Sequence, residues 1–234
     1  MNRSGNKLSD TLPPELGAAW RLMEDLQLAI NSFKGPLPRE WGGMARLKVL
    51  NIFTNKLSGT LPPELGGAWP VMEELVLSDN SFTGPLPREW GGMARLSHTA
   101  LPPLDNLLNN PPRLSGTLPP ELGAAWPRMK YLELNTNSFT GPLPREWGGM
   151  ARLRKLSIHE NILTGPLPDE WSRIATMKTL WLMSNGLTGT LPASWASWAA
   201  ADDISLSDNR LQGAIPASWG ALGRMSCAVG SRPF

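Results

Sequence analysis

The chain has one cysteine, one tyrosine and two histidines among its 234 residues. A single thiol, Cys227, forms no internal disulfide and no cysteine-based metal cluster. The histidines, His98 and His159, lie far apart in sequence, and neither sits in a ligand spacing such as HExxH. Long apolar runs are missing too, because proline and charged residues interrupt each of them, so no direct membrane insertion is expected. The formal net charge is only +2, from 22 basic and 20 acidic residues. No cluster of Lys and Arg is dense enough for a nucleic-acid or lipid-headgroup surface. The opening MNRSGNKLSDTLPPELG lacks the apolar core of a signal peptide and enters repeated sequence at once, which predicts a fragment of a longer parent.

What is plentiful is glycine and proline, 23 of each. Such usage marks either a disordered chain or residues recurring at fixed places for a geometric reason, and the period decides between them. Asparagines recur at Asn6, Asn31, Asn55, Asn80, Asn137, Asn161, Asn185 and Asn209, separated by 25, 24, 25, 57, 24, 24 and 24 residues. The gap of 57 holds one more unit, with Pro112 at its anchor position and steps of 32 and 25. Units reading LPPEL alternate with units reading LPREW through the first two thirds of the chain, as duplication of a two-unit block would produce.

Within each unit the apolar positions follow LxxLxLxxNxLxGxLP. Leu50 and Ile52 alternate with Asn51 and Phe53, a period of two that marks a short strand with one buried face. Leu75 and Leu77, Leu132 and Leu134, Leu156 and Ile158, Leu180 and Leu182, and Ile204 and Leu206 repeat it. Such strands stack in parallel at about 4.8 Å, and each coil depends on its neighbours for burial. The anchor asparagine follows the strand where the chain must turn, and its amide can satisfy backbone groups that the bend leaves buried. Gly35, Gly59, Gly84 and their equivalents suit a close or positive-φ position, and Pro38, Pro62 and Pro87 open short helical turns. Trp41, Trp90, Trp147 and Trp171 then point inward with Met44, Trp69 and Met93, in a register that makes them core wedges and not a carbohydrate platform. The fold class expected is α/β: a solenoid of about eight to nine coils over residues 1–234, with a concave parallel β-sheet and a 3₁₀ or irregular convex side. The end coils are expected to be incomplete, and the segment 97–113 to bulge as an insertion, arising from drift after duplication or serving in binding.

The pattern LxxLxLxxNxLxGxLPxxW/L resembles the plant-specific class of leucine-rich repeats. The GTLPPEL and GPLPREW variants are closer still to the repeats of trypanosomatid surface antigens and of algal and protist proteins. The resemblance implies an asparagine ladder, here Asn31, Asn55, Asn80, Asn137, Asn161, Asn185 and Asn209, and ligand contacts from exposed strand positions on the concave face. It also implies a cell-surface or extracellular parent. Cysteine-bearing caps common in the plant proteins are absent from this sequence.

The outward strand positions form a grid of candidate contacts, none of which alternation sends into the core. Among them Phe53, Trp181 and Met183 are large and apolar, which suits the anchors of an interface, ordinary scattered surface apolarity, or a face covered by further sequence. Asp79, Glu133, Glu160 and Asp208 make the grid acidic, disfavouring nucleic acid there; Asn135 and His159 complete the candidate contacts. His159 beside Glu160 lacks a third metal ligand, and no nucleophile is accompanied by a base and an oxyanion arrangement, so neither cofactor nor enzymatic activity is expected. The function expected is recognition of a protein or peptide, with a glycan as a further candidate ligand, in the manner of a receptor ectodomain. The alternative is a structural or adhesive surface repeat, and exposed end coils would favour end-to-end self-association.

Overall fold

A computed structural model describes residues 1–101, 113–222 and 226–228 of the chain. Two nine-stranded parallel sheets run along the stack, each joining strands of successive coils. The first contains the expected strands, among them Val49–Asn51, Glu74–Val76, Tyr131–Glu133, Lys155–Ser157, Thr179–Trp181 and Asp203–Ser205, together with Asp25–Gln27 and two that the sequence did not announce, His98–Ala100 and Ser226–Ala228. Their central leucines stand in one register, Leu26 beside Leu50, Leu50 beside Leu75 and Leu132 beside Leu156. All of these are fully buried. The last strand pairs with Asp203–Ser205 through three residues.

The second sheet was not anticipated. It is built from the segments that follow each turn, including Lys56–Thr60, Ser81–Pro85, Ser138–Pro142 and Ile162–Pro166. A glycine at positive φ stands in each of these four segments. A Cβ on Gly84 would lie 3.0 Å from Thr60 Cγ2, and one on Gly141 3.1 Å from Thr117 Cγ2. Glycine thus serves both the left-handed backbone and the close approach of the preceding coil.

The third side carries short helical segments of two kinds. After LPREW and its later variants the chain forms 3₁₀ turns such as Arg39–Gly43 and Asp169–Arg173, each preceded by an extended proline. From the end of LPPEL it forms short α-helices instead, Leu16–Ala19, Glu64–Ala68 and Leu122–Ala125, a local variation within the expected 3₁₀ or irregular side. One extra residue accounts for the difference: Trp69 N reaches Leu65 O four residues back at 3.0 Å, whereas Met44 N reaches Trp41 O three residues back at 2.9 Å.

Between the sheets and helices lies one continuous apolar core. Its tryptophans are fully buried, and each indole N–H is satisfied from the preceding coils. Trp41 Nε1 donates to Pro13 O at 2.9 Å, Trp90 to Pro62 O at 3.0 Å and Trp147 to Pro119 O at 2.9 Å. A second series links tryptophan to tryptophan, Trp69 to Trp41 O at 3.1 Å and Trp198 to Trp171 O at 3.1 Å. Trp171 and Trp219 stack on Trp195 at 6.2 and 6.3 Å between ring centroids. The aromatic residues therefore tie coil to coil by hydrogen bonds as well as by area.

The asparagines do the same at the turn. Asn80 Nδ2 donates to Leu77 O and Ser78 O of its own coil at 3.0 and 3.2 Å, and to Ile52 O of the preceding coil at 2.9 Å; its Oδ1 accepts from Leu57 N at 3.0 Å. Asn31, Asn55, Asn137, Asn161, Asn185 and Asn209 make the corresponding bonds. Asn6 already bonds Arg3 O and Ser4 O, and Arg3 N donates to Gln27 O, so the first residues run along the first strand. Each residue before a later rung is forced into the left-handed region: Ile30, Thr54, Asp79, Thr136, Glu160, Ser184 and Asp208 have φ between 52 and 57°. For β-branched Ile30, Thr54 and Thr136 that conformation is strained, and the ladder bonds hold it in place.

The coil that breaks the sequence rhythm joins the first sheet through His98–Ala100. Thr99 takes the place of leucine between Leu75 and Leu132, and its buried hydroxyl finds no hydrogen-bond partner. Most of the insertion read between 97 and 113 lies outside the described residues.

Candidate binding face

The outward side of the first sheet is ordered in columns by strand register. One column runs Asp25, Val49, Glu74, His98, Tyr131, Lys155, Thr179 and Asp203. The next runs Gln27, Asn51, Val76, Ala100, Glu133, Ser157, Trp181 and Ser205. The sequence grid began with the second column and passed over the first, although the same alternation places it two residues earlier. His98, distant in sequence, thereby becomes a member of the face. Its ring meets Tyr131 edge-on at 5.8 Å, and its Nδ1 lies 3.7 Å from Glu74 Oε1.

Four adjacent strands from Tyr131 to Ser205 concentrate the interactions. Lys155 Nζ pairs with Glu133 Oε1 at 2.9 Å and stands 4.7 Å from the Trp181 ring centroid. Trp181 Nε1 donates to Asp203 Oδ2 at 2.7 Å, and His159 packs edge-on against Trp181 at 5.9 Å. Ser157 Oγ lies 2.9 Å from His159 Nδ1 and 3.4 Å from Asn135 Oδ1. Glu133 thus holds the Lys155 ammonium over the indole, and Asp203 holds the indole edge, before any ligand arrives.

Trp181 is half-buried, held at both its edge and its face. Ser157 with His159 has the spacing of a nucleophile and its base, but Ser157 is 1% exposed and its hydroxyl is shared with Asn135. That geometry orients the imidazole and gives a substrate no path to the oxygen.

The remaining candidates lie elsewhere on the face. Phe53 is half-buried, its N–H donating to Asn51 Oδ1 at 3.1 Å. It follows the second strand of the first sheet, whereas Trp181 ends the seventh, five steps or about 24 Å away at the usual strand spacing. The structure therefore does not gather Phe53, Trp181 and Met183 into one patch. Asp79 Oδ2 accepts from Thr54 Oγ1 at 3.1 Å, and Glu160 Oε2 from Thr136 Oγ1 at 3.4 Å. Both carboxylates, and Asp208, belong to the left-handed row that closes the strands. Alternation also assigns Ala29, Ser78, Thr136 and Ser157 to the outward grid, yet all four are buried. Neighbouring side chains on the crowded face cover them, while the leucine core lies on the other side of the sheet.

The two margins of the face differ in charge. Lys130, Arg154 and Lys178 are exposed just before three successive strands, linked through Arg154 N to Lys130 O at 2.8 Å and Lys178 N to Arg154 O at 2.9 Å. Glu160 and Asp208 stand at the opposite margin. Among the described residues no group of three or more His, Cys, Asp or Glu could hold a metal ion, and no helix is long and apolar enough to cross a membrane.

A family model described as Leucine Rich Repeat matches residues 46–68 and 72–93. No curated protein matches the sequence. Solved structures do. A structure described as a TDR receptor superposes with a TM-score of 0.90 at 29% identity, over 98% of this chain and 38% of that one. The Arabidopsis receptor kinase HAESA, solved with the peptide hormone IDA and the co-receptor SERK1, gives 0.87 at 26% identity, over 97% of this chain and 36% of that one. A plant ice-binding protein gives 0.64 at 21% identity over 99% of this chain and 81% of that one, a likeness of fold alone. This chain thus spans under half the length of the receptor chains it matches.

Proposed function

We propose that this leucine-rich-repeat solenoid is a recognition scaffold that holds a protein or peptide across the outward face of its first sheet, as part of a receptor-like parent. One observation carries the reading. Trp181 is fixed between Lys155, His159 and Asp203, with the small polar Ser157 and Ser205 in register on either side. A rigid aromatic group with satisfied charges around it loses little entropy on binding, which is the character of an interface anchor. Glu133, Asn135 and His159 belong to the same patch; Met183 flanks it, and Phe53, Asp79, Glu160 and Asp208 are outlying contacts. The basic margin at Lys130, Arg154 and Lys178 and the acidic margin at Glu160 and Asp208 would orient a ligand by its charge.

Two kinds of support stand behind the reading. The HAESA neighbour was solved with a peptide hormone, and another neighbour, PEPR1–AtPEP1, gives a TM-score of 0.81 at 27% identity. The motifs GTLPPEL and GPLPREW resemble repeats of trypanosomatid and algal surface proteins, which adds to the reading of a cell-surface or extracellular parent. The scaffold itself is non-catalytic in this proposal.

Peptides selected against the chain from a random displayed library provide the test. Trp181→Ala is expected to weaken the selected binders about 30-fold, with circular dichroism unchanged. If Trp181→Ala and the triple change of Phe53, Trp181 and Met183 to Ser both leave capture intact on a folded chain, the face is not the recognition surface. Capture that declines only in proportion to coils removed would assign the chain to adhesion instead.

A further inference from the structure

Between the helical side and the first sheet each coil turns through two outward positions, one directly before the strand and one two residues earlier. A buried apolar residue separates them, Leu96, Met129, Leu153 and Met177 in four successive coils. The outward residues of these coils are Arg95 and Ser97, Arg128 and Lys130, Arg152 and Arg154, and Thr176 and Lys178. Backbone hydrogen bonds join the coils at this level, from Lys130 N to Ser97 O at 2.8 Å, Arg154 N to Lys130 O at 2.8 Å and Lys178 N to Arg154 O at 2.9 Å. Six cations scattered between positions 95 and 178 of the sequence thus share one corner, and all six are exposed.

No counter-charge accompanies them. Among the described residues none of the six takes part in an ion pair, whereas Lys48 in the same row is held by Glu24 at 2.7 Å and Lys155 in the next column by Glu133 at 2.9 Å. Like charges fixed on adjacent coils repel one another, and an anion laid across them relieves that repulsion. The corner is also bounded. Glu73 and Glu74 stand one coil before it, and Asp202 and Asp203 one coil after, with Ser97 N donating to Glu73 O at 2.9 Å and Asp202 N to Lys178 O at 2.8 Å. The four coils between those carboxylates cover about 14 Å at strand spacing, the length of about four or five residues of extended chain. A continuous polyanion such as a nucleic acid would run on into the carboxylates at both ends; a short acidic peptide segment would not.

We propose that this corner docks a short, extended acidic segment of a partner polypeptide, its carboxylates against Lys130, Arg154 and Lys178, with Arg95, Arg128 and Arg152 along their outer side. Single exposed ion pairs contribute little, so recognition rests on several acting together. The long basic side chains adapt to the segment, which is therefore selected by charge and length and not by register residue for residue. It binds whether or not Trp181 anchors a ligand on the first sheet.

Fluorescence anisotropy with a labelled peptide of five consecutive glutamates, measured on the whole chain at low ionic strength, tests this. Saturable binding is expected, and none by a peptide of five glutamines. Changing Lys130, Arg154 and Lys178 together to Gln is expected to weaken binding about tenfold, as the loss of three exposed ion pairs implies. Changing Arg39, Arg88 and Arg145 to Gln removes the same net charge from the helical side and is expected to leave affinity within about twofold; an equal loss there would reduce the interaction to net charge and overturn the proposal. Undiminished binding by the first triple variant would overturn it too, as would a single-stranded oligonucleotide of fifteen residues binding more tightly than the peptide. Trp181→Ala is expected to leave binding unchanged, and its loss there would move the peptide to the other face. Circular dichroism of each variant confirms that the coils remain folded.

Discussion

Trp181 and Asp203 join two adjacent strands of the first sheet through a hydrogen bond of 2.7 Å between indole Nε1 and carboxylate Oδ2. The bond links a donor from the second column to an acceptor from the first, across the direction in which a ligand would lie. It turns an aromatic side chain that alternation merely places outside into one whose ring plane is set.

Asp203→Ala is therefore expected to free Trp181 with little change in the backbone. A hydrogen bond to a charged group contributes about 1.5–3 kcal/mol, and partial exposure of both residues puts the loss toward the lower end of that range. Fluorescence quenching by acrylamide, compared with a Trp181→Phe control that removes this fluorophore's contribution, reads the freed indole directly.

Removing a rung from the ladder has a larger effect. Asn137 is buried; its Nδ2 bonds Leu101 O, Leu134 O and Asn135 O, and its Oδ1 accepts from Leu114 N. Asn137→Ala leaves buried backbone groups without partners, at roughly 3 kcal/mol in total. Asn31→Ala, at a half-buried rung, is expected to cost less. Urea unfolding followed by hydrogen exchange around Leu101 and Leu114 distinguishes the two, since loss should be local to the neighbouring coils.

Thr99→Val is expected to stabilise the chain. The hydroxyl removed is buried with no partner, and the side chain stands in register between Leu75 and Leu132. The replacement keeps the branched shape and exchanges an unsatisfied oxygen for a methyl group, a gain of about 1–3 kcal/mol. A midpoint in thermal unfolding that fails to rise would show that this oxygen has a partner in solution.

Trp147→Phe separates packing from hydrogen bonding in the aromatic series. The indole donates to Pro119 O at 2.9 Å from a fully buried site. Loss of that donor strands a carbonyl, at about 1–3 kcal/mol, while Trp147→Ala adds a cavity and brings the cost to about 3–5 kcal/mol. Equal stability of the Phe variant and the parent in urea would reduce the indole to bulk alone.

Much of the scaffold was legible because one leucine period repeats. Leu50, Leu75, Leu132 and Leu156 could be assigned to the inside from alternation alone, and Trp41 and Trp90 from their register after proline. The partners of those side chains were not legible. That Trp90 bonds Pro62 O, 28 residues earlier, depends on how one coil nests on the last, and spacing of 24 residues does not encode it. The second sheet was hidden for a related reason: segments such as SFTGP carry no apolar alternation, and their pairing rests on Gly84 and Gly141 admitting a neighbour's side chain. The same holds for the left-handed residues. Nothing in Ile30 or Thr136 announces a positive φ, which the asparagine after it enforces.

The patch around Trp181 was half visible. Glu133, Asn135, His159 and Trp181 followed from strand alternation, but Lys155 was set beside the grid and Asp203 was passed over. Extending the same alternation two residues toward the start of each strand would have included both, along with His98 and Tyr131. Grouping Phe53 with Trp181 failed for a different reason. Side-chain character says nothing about how many strands lie between two residues.

Asn137 reaches Leu101 O, and Trp126 reaches Trp90 O, each across 36 positions of sequence, at 3.0 Å in both cases. Equivalent rungs elsewhere, Asn80 to Ile52 O and Trp69 to Trp41 O, cross 28 positions with the same geometry. The stack is thus indifferent to how much polypeptide is routed between Leu101 and Arg113. That junction is a natural splice point, where lineages could exchange or lengthen a segment, or an engineer could graft one, without the flanking coils registering the change.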